Sequence, residues 1–167
     1  GGVPTPLTKL DEKNSEAGHG VPSFLPDGKH FLYHRRSSKP ERSGVYIGQL
    51  GVAPEQQDTK LLLANDTAAI YTPSPDPRAA TKGLGFLLFV REGTLMAQPF
   101  DAEALALKGE PVPLAEQVGK VDAYSYGKFT VSATGALAYS TGATTGAASR
   151  LTWFDRQGKN LGVIGNP

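Results

Sequence analysis

Short apolar segments that each follow a glycine recur three times along this chain. The glycines and their segments are Gly28 with 29–34, Gly85 with 86–91 and Gly135 with 136–141. The first two glycines are 57 residues apart, and the last two are 50 residues apart. A repeat of turns and strands with this period predicts a chain built from similar units.

Each unit contains three further segments that are predicted to be strands. One segment precedes the glycine and two follow the first strand, in the same order each time. The segments before the glycine are 21–24, 69–72 and 129–132. The third strands are predicted at 44–50, 94–100 and 150–154. The fourth strands are predicted at 60–63, 112–115 and 160–164. Four strands in a unit of about fifty residues is the pattern of a β-propeller blade.

The sequence therefore predicts an all-β fold in one partial β-propeller domain. The domain is expected to cover 1–167, with about three four-stranded antiparallel blades at 21–64, 69–118 and 127–165. Residues 3–10 resemble 110–118, the outer strand of the second unit, and are predicted to be a surplus outer strand of a preceding or closing blade. Closed propellers have about 4 to 8 blades, so three units indicate a slice of a larger ring.

The turns before the second strands differ between units. Pro26, Asp27 and Gly28 are the residue types of a tight hairpin turn, in which Gly28 supplies a positive φ. The second unit has the polar, proline-rich stretch 73–82 at the same place, which is predicted to be an expanded loop.

Composition supports this class and narrows the function. Gly 20 and Pro 13 with 39% hydrophobic residues are typical of many short strands joined by turns. The 17 basic and 16 acidic residues leave a net charge of +1, so nucleic acid and anionic membranes are not expected partners. The absence of cysteine excludes disulfides and thiolate chemistry. No apolar run could span a bilayer, and the first residues have neither an initiator Met nor a signal-peptide pattern, so we expect a piece of a longer protein.

The candidate catalytic and ligand-binding residues each have a structural interpretation that we prefer. His30 and His34 have the spacing of a helical metal pair, but four residues of strand separate them by roughly 13 Å. The sequence contains no serine elbow and no phosphate loop, and Gly83 and Gly85 are interpreted as a turn. We therefore expect no catalytic, cofactor-binding or metal-binding residues.

Several other residues have individual predicted roles. Asp101 and Asp155 each follow a strand-ending phenylalanine and are predicted to hold turns. Tyr46 and Trp153 are expected either to line a binding face or to fill the space between blades. Residues 65–67 match the glycosylation sequon. The remaining candidates are the acidic Glu103, Glu116 and Asp122, the loop histidine His19, and the basic stretch of Arg35, Arg36, Lys39 and Arg42, which is interpreted as a solvated loop.

The residues 24–33 (Phe-Leu-Pro-Asp-Gly-Lys-His-Phe-Leu-Tyr) resemble the signature of TolB-type, WD-repeat-like β-propellers, in which Pro-Asp-Gly and a basic residue precede a strand. The runs 88–101, 109–115 and 151–159 resemble the C-terminal propeller region of bacterial receptor-like Ser/Thr protein kinases. The resemblance implies a sensor or interaction propeller, placed in the periplasm as part of a membrane-anchored protein. It carries over no catalytic residue, because this chain has none of the kinase motifs.

We therefore expect a noncatalytic module that binds a protein, a peptide or a small ligand, with its contacts in the loops 35–42 and 73–82. A structural spacer or a dimerisation element is the alternative, since exposed blade edges could pair two copies, and two three-blade units could close a six-blade ring. A propeller that is accessory to a peptidase is a further alternative, because similar propellers precede prolyl-oligopeptidase-like catalytic domains.

Overall fold

Antiparallel strands make up most of the regular structure, which confirms the predicted all-β class. The structure is a computed structural model that describes residues 2–132, 134–142 and 151–164. Its strands are β1 (Glu16–Phe24), β2 (His30–Ser37), β3 (Gly44–Gln49), β4 (Ile70–Pro73), β5 (Leu84–Arg91), β6 (Thr94–Asp101), β7 (Ala106–Leu107), β8 (Val112–Ala115), β9 (Lys120–Val121), β10 (Tyr126–Gly127), β11 (Phe129–Val131), β12 (Leu137–Tyr139), β13 (Leu151–Phe154) and β14 (Asn160–Ile164). The helical pieces are α1 (Pro77–Ala80) and 3-10 turns at Glu12–Asn14, Pro40–Arg42, Pro54–Gln56 and Asp122–Tyr124. None of the helices in the described ranges is long and apolar enough to cross a bilayer.

The first sheet has the order β1-β2-β3, with antiparallel neighbours. Its first turn forms as the sequence predicts: Asp27 Oδ1 accepts the N–H groups of Lys29 and His30, each at 2.9 Å, and Gly28 has a φ of +65°. β1 begins at Glu16, earlier than predicted, because a register shift near Val21, whose φ is +52°, lets the strand continue past an irregular step.

The second sheet has the order β4-β5-β6, and β7 and β8 both pair with the far edge of β6. Its fourth position is therefore filled by β8, which coincides with the predicted segment 112–115. The expanded loop contains the short helix α1, which begins after Asp76. The prediction that Gly85 makes the turn is wrong: Gly83 has the positive φ of +69°, while Gly85 lies inside β5 and pairs with Phe100.

The third unit consists of two separate two-stranded ladders, β11-β12 and β13-β14. Its two halves meet where the rings of Tyr139 and Phe154 stack with centroids 5.2 Å apart. Gly135 has a φ of +83°, as expected for its turn. Parts of the predicted blade 127–165, namely 133, 143–150 and 165, lie outside the described residues.

Two predicted strands do not form. Residues 3–10 have no ladder partner among the described residues, and Pro4 and Pro6 supply no N–H group for one. Residues 60–63 touch β3 at one bridge, between Val45 and Leu63. The side chain of Gln57 explains the rest, because it binds the backbone of Gln49 at the place that a paired strand would occupy.

The first and second sheets pack face to face through side chains that are almost completely buried. Leu32 and Val45 of the first sheet meet Leu87, Phe89 and Phe100 of the second. None of these five is more than 1% exposed. A buried leucine or phenylalanine contributes roughly 1.5–3 kcal/mol, so this interface is a main source of stability.

The opposite face of the second sheet is buried as well. Leu88, Val90 and Leu95 pack against Val118 and Phe129. Val118 lies just before the third unit, and Phe129 belongs to it. Successive residues of a strand point to opposite faces, so β5 serves both interfaces at once. The sheets thus stack in chain order, as adjacent blades would, while the number of blades remains a prediction.

We expect the close packing at Gly85 to be sensitive to a single methyl group. A Cβ atom there would overlap the carbonyl oxygen of Thr72 and lie 2.8 Å from the ring of Tyr71. Gly85→Ala should lower the free energy of unfolding by about 2 kcal/mol, the usual effect of overpacking. Urea denaturation measures the change.

The matched control for this prediction is Gly20→Ala in β1. No atom lies within 4 Å of the Cβ position at Gly20, so its free energy of unfolding should change by less than about 0.5 kcal/mol. Equal stabilities of the two variants would contradict the packing described at Gly85.

Candidate functional site

A groove with a volume of about 650 Å³ lies between the first and second sheets. One wall is β3 with the segment 56–62, and the other is the segment 104–107, which includes β7. The larger apolar side chains along it include Ile47, Leu61, Leu62, Leu105 and Leu107, and the polar ones include Gln56, Gln57, Asp58, Lys60 and His30. Most of the apolar side chains also pack on the buried core, so the floor of the groove continues the core.

The edge of β3 faces this groove and is only partly paired. Val45 N–H donates to Leu63 C=O at 2.9 Å, which shows that the backbone of Val45 points away from β2. Gln49 also points outward, because its N–H donates to Gln57 Oε1 at 2.9 Å and its C=O accepts from Gln57 Nε2 at 2.9 Å. Backbone directions alternate along a strand, so the N–H and C=O of Ile47 point outward too.

Ile47 therefore presents an open backbone donor and acceptor to the groove. Neither group has a hydrogen-bond partner outside its own ladder within the described residues. The corresponding edge of the second sheet is occupied: β8 pairs beside Met96 and Ala97, and Lys108 N–H donates to Pro99 C=O at 2.8 Å. The gap at Ile47 is thus a specific difference between the two sheets.

A buried cluster of charged groups lies on the outer face of the first sheet. Glu16 Oε1 accepts from Arg35 Nη1 at 3.2 Å, and Glu16 Oε2 accepts from Asp11 N–H at 2.7 Å and lies 2.9 Å from His19 Nε2. The side chains of Glu16, Arg35 and His19 are only 3%, 8% and 9% exposed. A carboxylate with three partners is well satisfied although it is removed from water.

Arg35 joins this carboxylate to two other parts of the chain. Its Nε donates to Tyr33 Oη at 2.8 Å, and its Nη2 donates to the carbonyl oxygen of Asp58 at 2.8 Å. The guanidinium carbon lies 4.1 Å from the ring centroid of Tyr46, a cation–π contact. The prediction of a solvated loop is therefore wrong for Arg35, which stabilises the first sheet from within.

Burial sets the protonation of the aromatic groups around Arg35. It lowers the pKa of His19, and the neighbouring Glu16 carboxylate offsets only part of that effect. The buried Nδ1 of His19 has no hydrogen-bond partner within the described residues. Burial likewise raises the pKa of Tyr33, against the opposing influence of Arg35. His19 is neutral at neutral pH, so the charges of the cluster are those of Arg35 and Glu16.

The two strand histidines have separate partners. His30 Nδ1 lies 2.5 Å from Asp27 Oδ2 in the first turn, and His34 Nε2 lies 2.9 Å from the carbonyl oxygen of Asn65. The carboxylate of Asp27 has a pKa of about 2, because the N–H groups and the ring of its neighbours outweigh the effect of burial, which raises it. No three histidine, aspartate or glutamate side chains are grouped as metal ligands in the described ranges.

The sequon asparagine is part of the core. Asn65 is 8% exposed, and its Nδ2 donates to the carbonyl oxygens of Thr67 and Val90 at 2.9 and 3.0 Å. The nitrogen that a glycan would modify is therefore engaged in the folded protein. These bonds fix the end of β5 against the chain that leaves the first sheet.

The other basic residues of the predicted loop point in different directions. Arg36 donates to the carbonyl oxygen of Ala123, and Lys39 Nζ donates to that of Lys13 at 2.9 Å. The carbonyl oxygen of Arg42 accepts from Tyr46 Oη at 2.9 Å. Neither this loop nor 73–82 lines the groove, so both fall outside the site that the structure offers.

The remaining candidates are not brought together. Asp101 and Asp155 hold turns, as expected: Asp101 Oδ1 accepts from Ala104 N–H and Asp155 Oδ1 from Lys159 N–H, each at 2.9 Å. Asp122 pairs with Lys120 at 2.8 Å. Tyr46 is buried, whereas Trp153 is 46% exposed, and Glu103 and Glu116 are exposed.

Sequence reasoning missed the residues that form the groove. Ile47 belongs to a correctly predicted strand, but its open edge depends on residue 57, ten positions later. Gln57 is one glutamine in a polar stretch, and no local pattern marks it as a side chain that binds a strand edge. The lack of alternating apolar positions over 53–60 was the available signal that no strand covers this edge.

No protein-family model and no curated protein matches this chain. The resemblance to TolB-type and kinase-associated propellers therefore rests on the motifs in the sequence.

Removal of the Glu16 charge tests the buried cluster. We expect Glu16→Gln to lower the free energy of unfolding by about 3 kcal/mol, because the guanidinium of Arg35 stays buried without its countercharge. Thermal and urea denaturation measure the loss.

A double variant serves as the control. Glu16→Gln combined with Arg35→Met removes both charges, so it should be more stable than Glu16→Gln alone. A Glu16→Gln protein within about 0.5 kcal/mol of the parent would show that the pair is not a buried, mutually dependent one.

Proposed function

We propose that this protein is a noncatalytic binding module whose binding site is the groove between the first two sheets. One observation carries the proposal: the groove has an apolar floor, a polar rim and walls from two different sheets. Ligand sites in proteins typically combine these features at the junction of structural units. The partner is a peptide, a protein segment or a small ligand.

The wider setting of the module is part of the same proposal. The stacked antiparallel sheets and the Pro-Asp-Gly turn support a propeller of the TolB type. In that setting the chain is the extracytoplasmic part of a larger signalling protein, as its resemblance to kinase-associated propellers implies. Such a module holds a ligand and passes its presence to the rest of the protein.

A bulky residue at the mouth of the groove should block binding. Ala104 is exposed and lies on the groove wall, so Ala104→Trp fills the entrance without disturbing the core. We expect it to weaken by at least about tenfold the binding of ligands selected on the parent protein from a small-fragment library and a random-peptide library. Isothermal calorimetry measures the affinities.

The matched control is Ala136→Trp, at an exposed position in the third unit away from the groove. It should leave every affinity unchanged. If neither library yields a ligand, or if both tryptophan variants bind as the parent does, the groove is not the binding site.

Self-association is a second candidate function, favoured by the exposed apolar surface of the last hairpin. Trp153, Leu161, Val163 and Ile164 are 46%, 59%, 48% and 44% exposed within β13 and β14. The pairing of Trp153 with Gly162 places Trp153 and Ile164 on the same face of the hairpin, and apolar side chains exposed together on one face mark interaction sites. Two copies joined through this hairpin would form a spacer or a dimerisation element.

We expect light scattering on a sizing column to show a dimer whose mass does not change with concentration. Trp153→Ser combined with Ile164→Lys should convert it to a monomer, because the change removes apolar area from one face of the hairpin. A monomeric parent protein at all concentrations would exclude this candidate.

A further inference from the structure

We propose that the groove binds an extended peptide segment, which adds as a strand to the edge of β3 at Ile47. This inference rests on the proposed binding function and names the chemistry of its partner. Ile47 directs an N–H and a C=O into the groove, and a peptide backbone is the ligand that supplies a matching acceptor and donor at strand spacing.

The edge on either side of Ile47 limits the length of the added strand. Leu62 and Leu63 pair with the backbone of Val45 above it, with distances of 2.9 to 3.3 Å. Below it, the side-chain amide of Gln57 covers both backbone groups of Gln49. The open stretch therefore accepts a short segment that is centred on one residue opposite Ile47 and continues the pairing begun at Leu63.

The groove also determines which side chains the segment carries. The side chain of Ile47 packs on the same face as Leu32 and Val45, towards the second sheet. A residue paired with Ile47 places its own side chain on that face, beside Leu105 and Leu107. That central residue is therefore apolar, while its neighbours point towards the polar rim.

The second sheet shows that a chain segment fits such an edge. β8 lies along β6 with Val112 opposite Ala97 and Ala115 opposite Leu95. The chain thus fills this position itself in the second sheet, whereas the first sheet leaves it open beside Ile47. A segment from a partner would complete the first sheet in the way that β8 completes the second.

Amide hydrogen exchange of the protein and an ester analogue of the peptide test the proposal. The ligands are end-capped tripeptides selected on the parent protein from a random library, each compared with an analogue in which an ester replaces the amide of the central residue. Hydrogen exchange followed by NMR should show a fast Ile47 amide and a slow Tyr46 amide in the free protein. The peptide should slow exchange at Ile47 by at least about tenfold, and the ester should bind about tenfold more weakly.

Two variants at Ile47 complete the test. Ile47→Pro removes the donor at an edge position where proline is tolerated, and it should weaken peptide binding by at least about tenfold. Ile47→Val keeps the donor and should bind as the parent does. The ester comparison requires no variant to fold, so it decides the matter even if Ile47→Pro does not fold.

The outcomes separate this inference from the proposed function. Selected peptides that bind in the groove without slowing exchange at Ile47, or that bind equally well as esters, overturn strand addition and leave the groove as the binding site. If fragments bind in the groove but no peptide is selected, strand addition is likewise overturned and the groove remains the binding site. If nothing binds in the groove, both proposals fail.

Discussion

The burial of the second sheet on both faces is the constraint on which the rest of the structure depends. β5 alternates Leu87 and Phe89 towards the first sheet with Leu88 and Val90 towards the third unit, so both sets are enclosed. A strand in this position has no face for polar side chains, and its central residues form one continuous apolar run. Each neighbouring unit is held in place because it covers one side of this sheet.

This constraint explains how much of the fold could be predicted from the sequence. The apolar run of β5 and the Pro-Asp-Gly turn are local signals, and the structure has the strand and the turn where they were expected. Gly85 was misassigned because a glycine can be required either for close packing or for a turn, and the sequence does not distinguish the two roles. Residues 60–63 were misassigned because their three leucines pack beside the edge of the first sheet, and an apolar run in that place has the same pattern as a strand.

The polar residues were harder to predict, because their roles depend on partners far away in the chain. Arg35 is one of several basic residues in the sequence, and only the approach of Glu16 and Asp58 makes it a buried link. Side chains also replace backbone in two places. Gln57 covers the edge at Gln49, and Thr67 Oγ1, just before the start of β4, accepts from Val90 N–H at 3.1 Å. The side chain of Gln57 closes the edge of β3 at Gln49 but does not reach Ile47, and the candidate site arises at this uncovered residue.

The chain segments that lie over the outer face of the first sheet make the two ends of the stack of sheets different. Phe31, Tyr33 and Tyr46 are buried on its outer face, and Glu16 and Gln57 tie the chain near Asp11 and Leu7 to the same end. A further sheet could not pack there unless these segments moved aside, whereas the last hairpin keeps its apolar side chains accessible. The two ends of the stack therefore differ, because the outer aromatic side chains of the first sheet are shielded by the chain that precedes it, whereas the last hairpin has apolar side chains that are open to solvent.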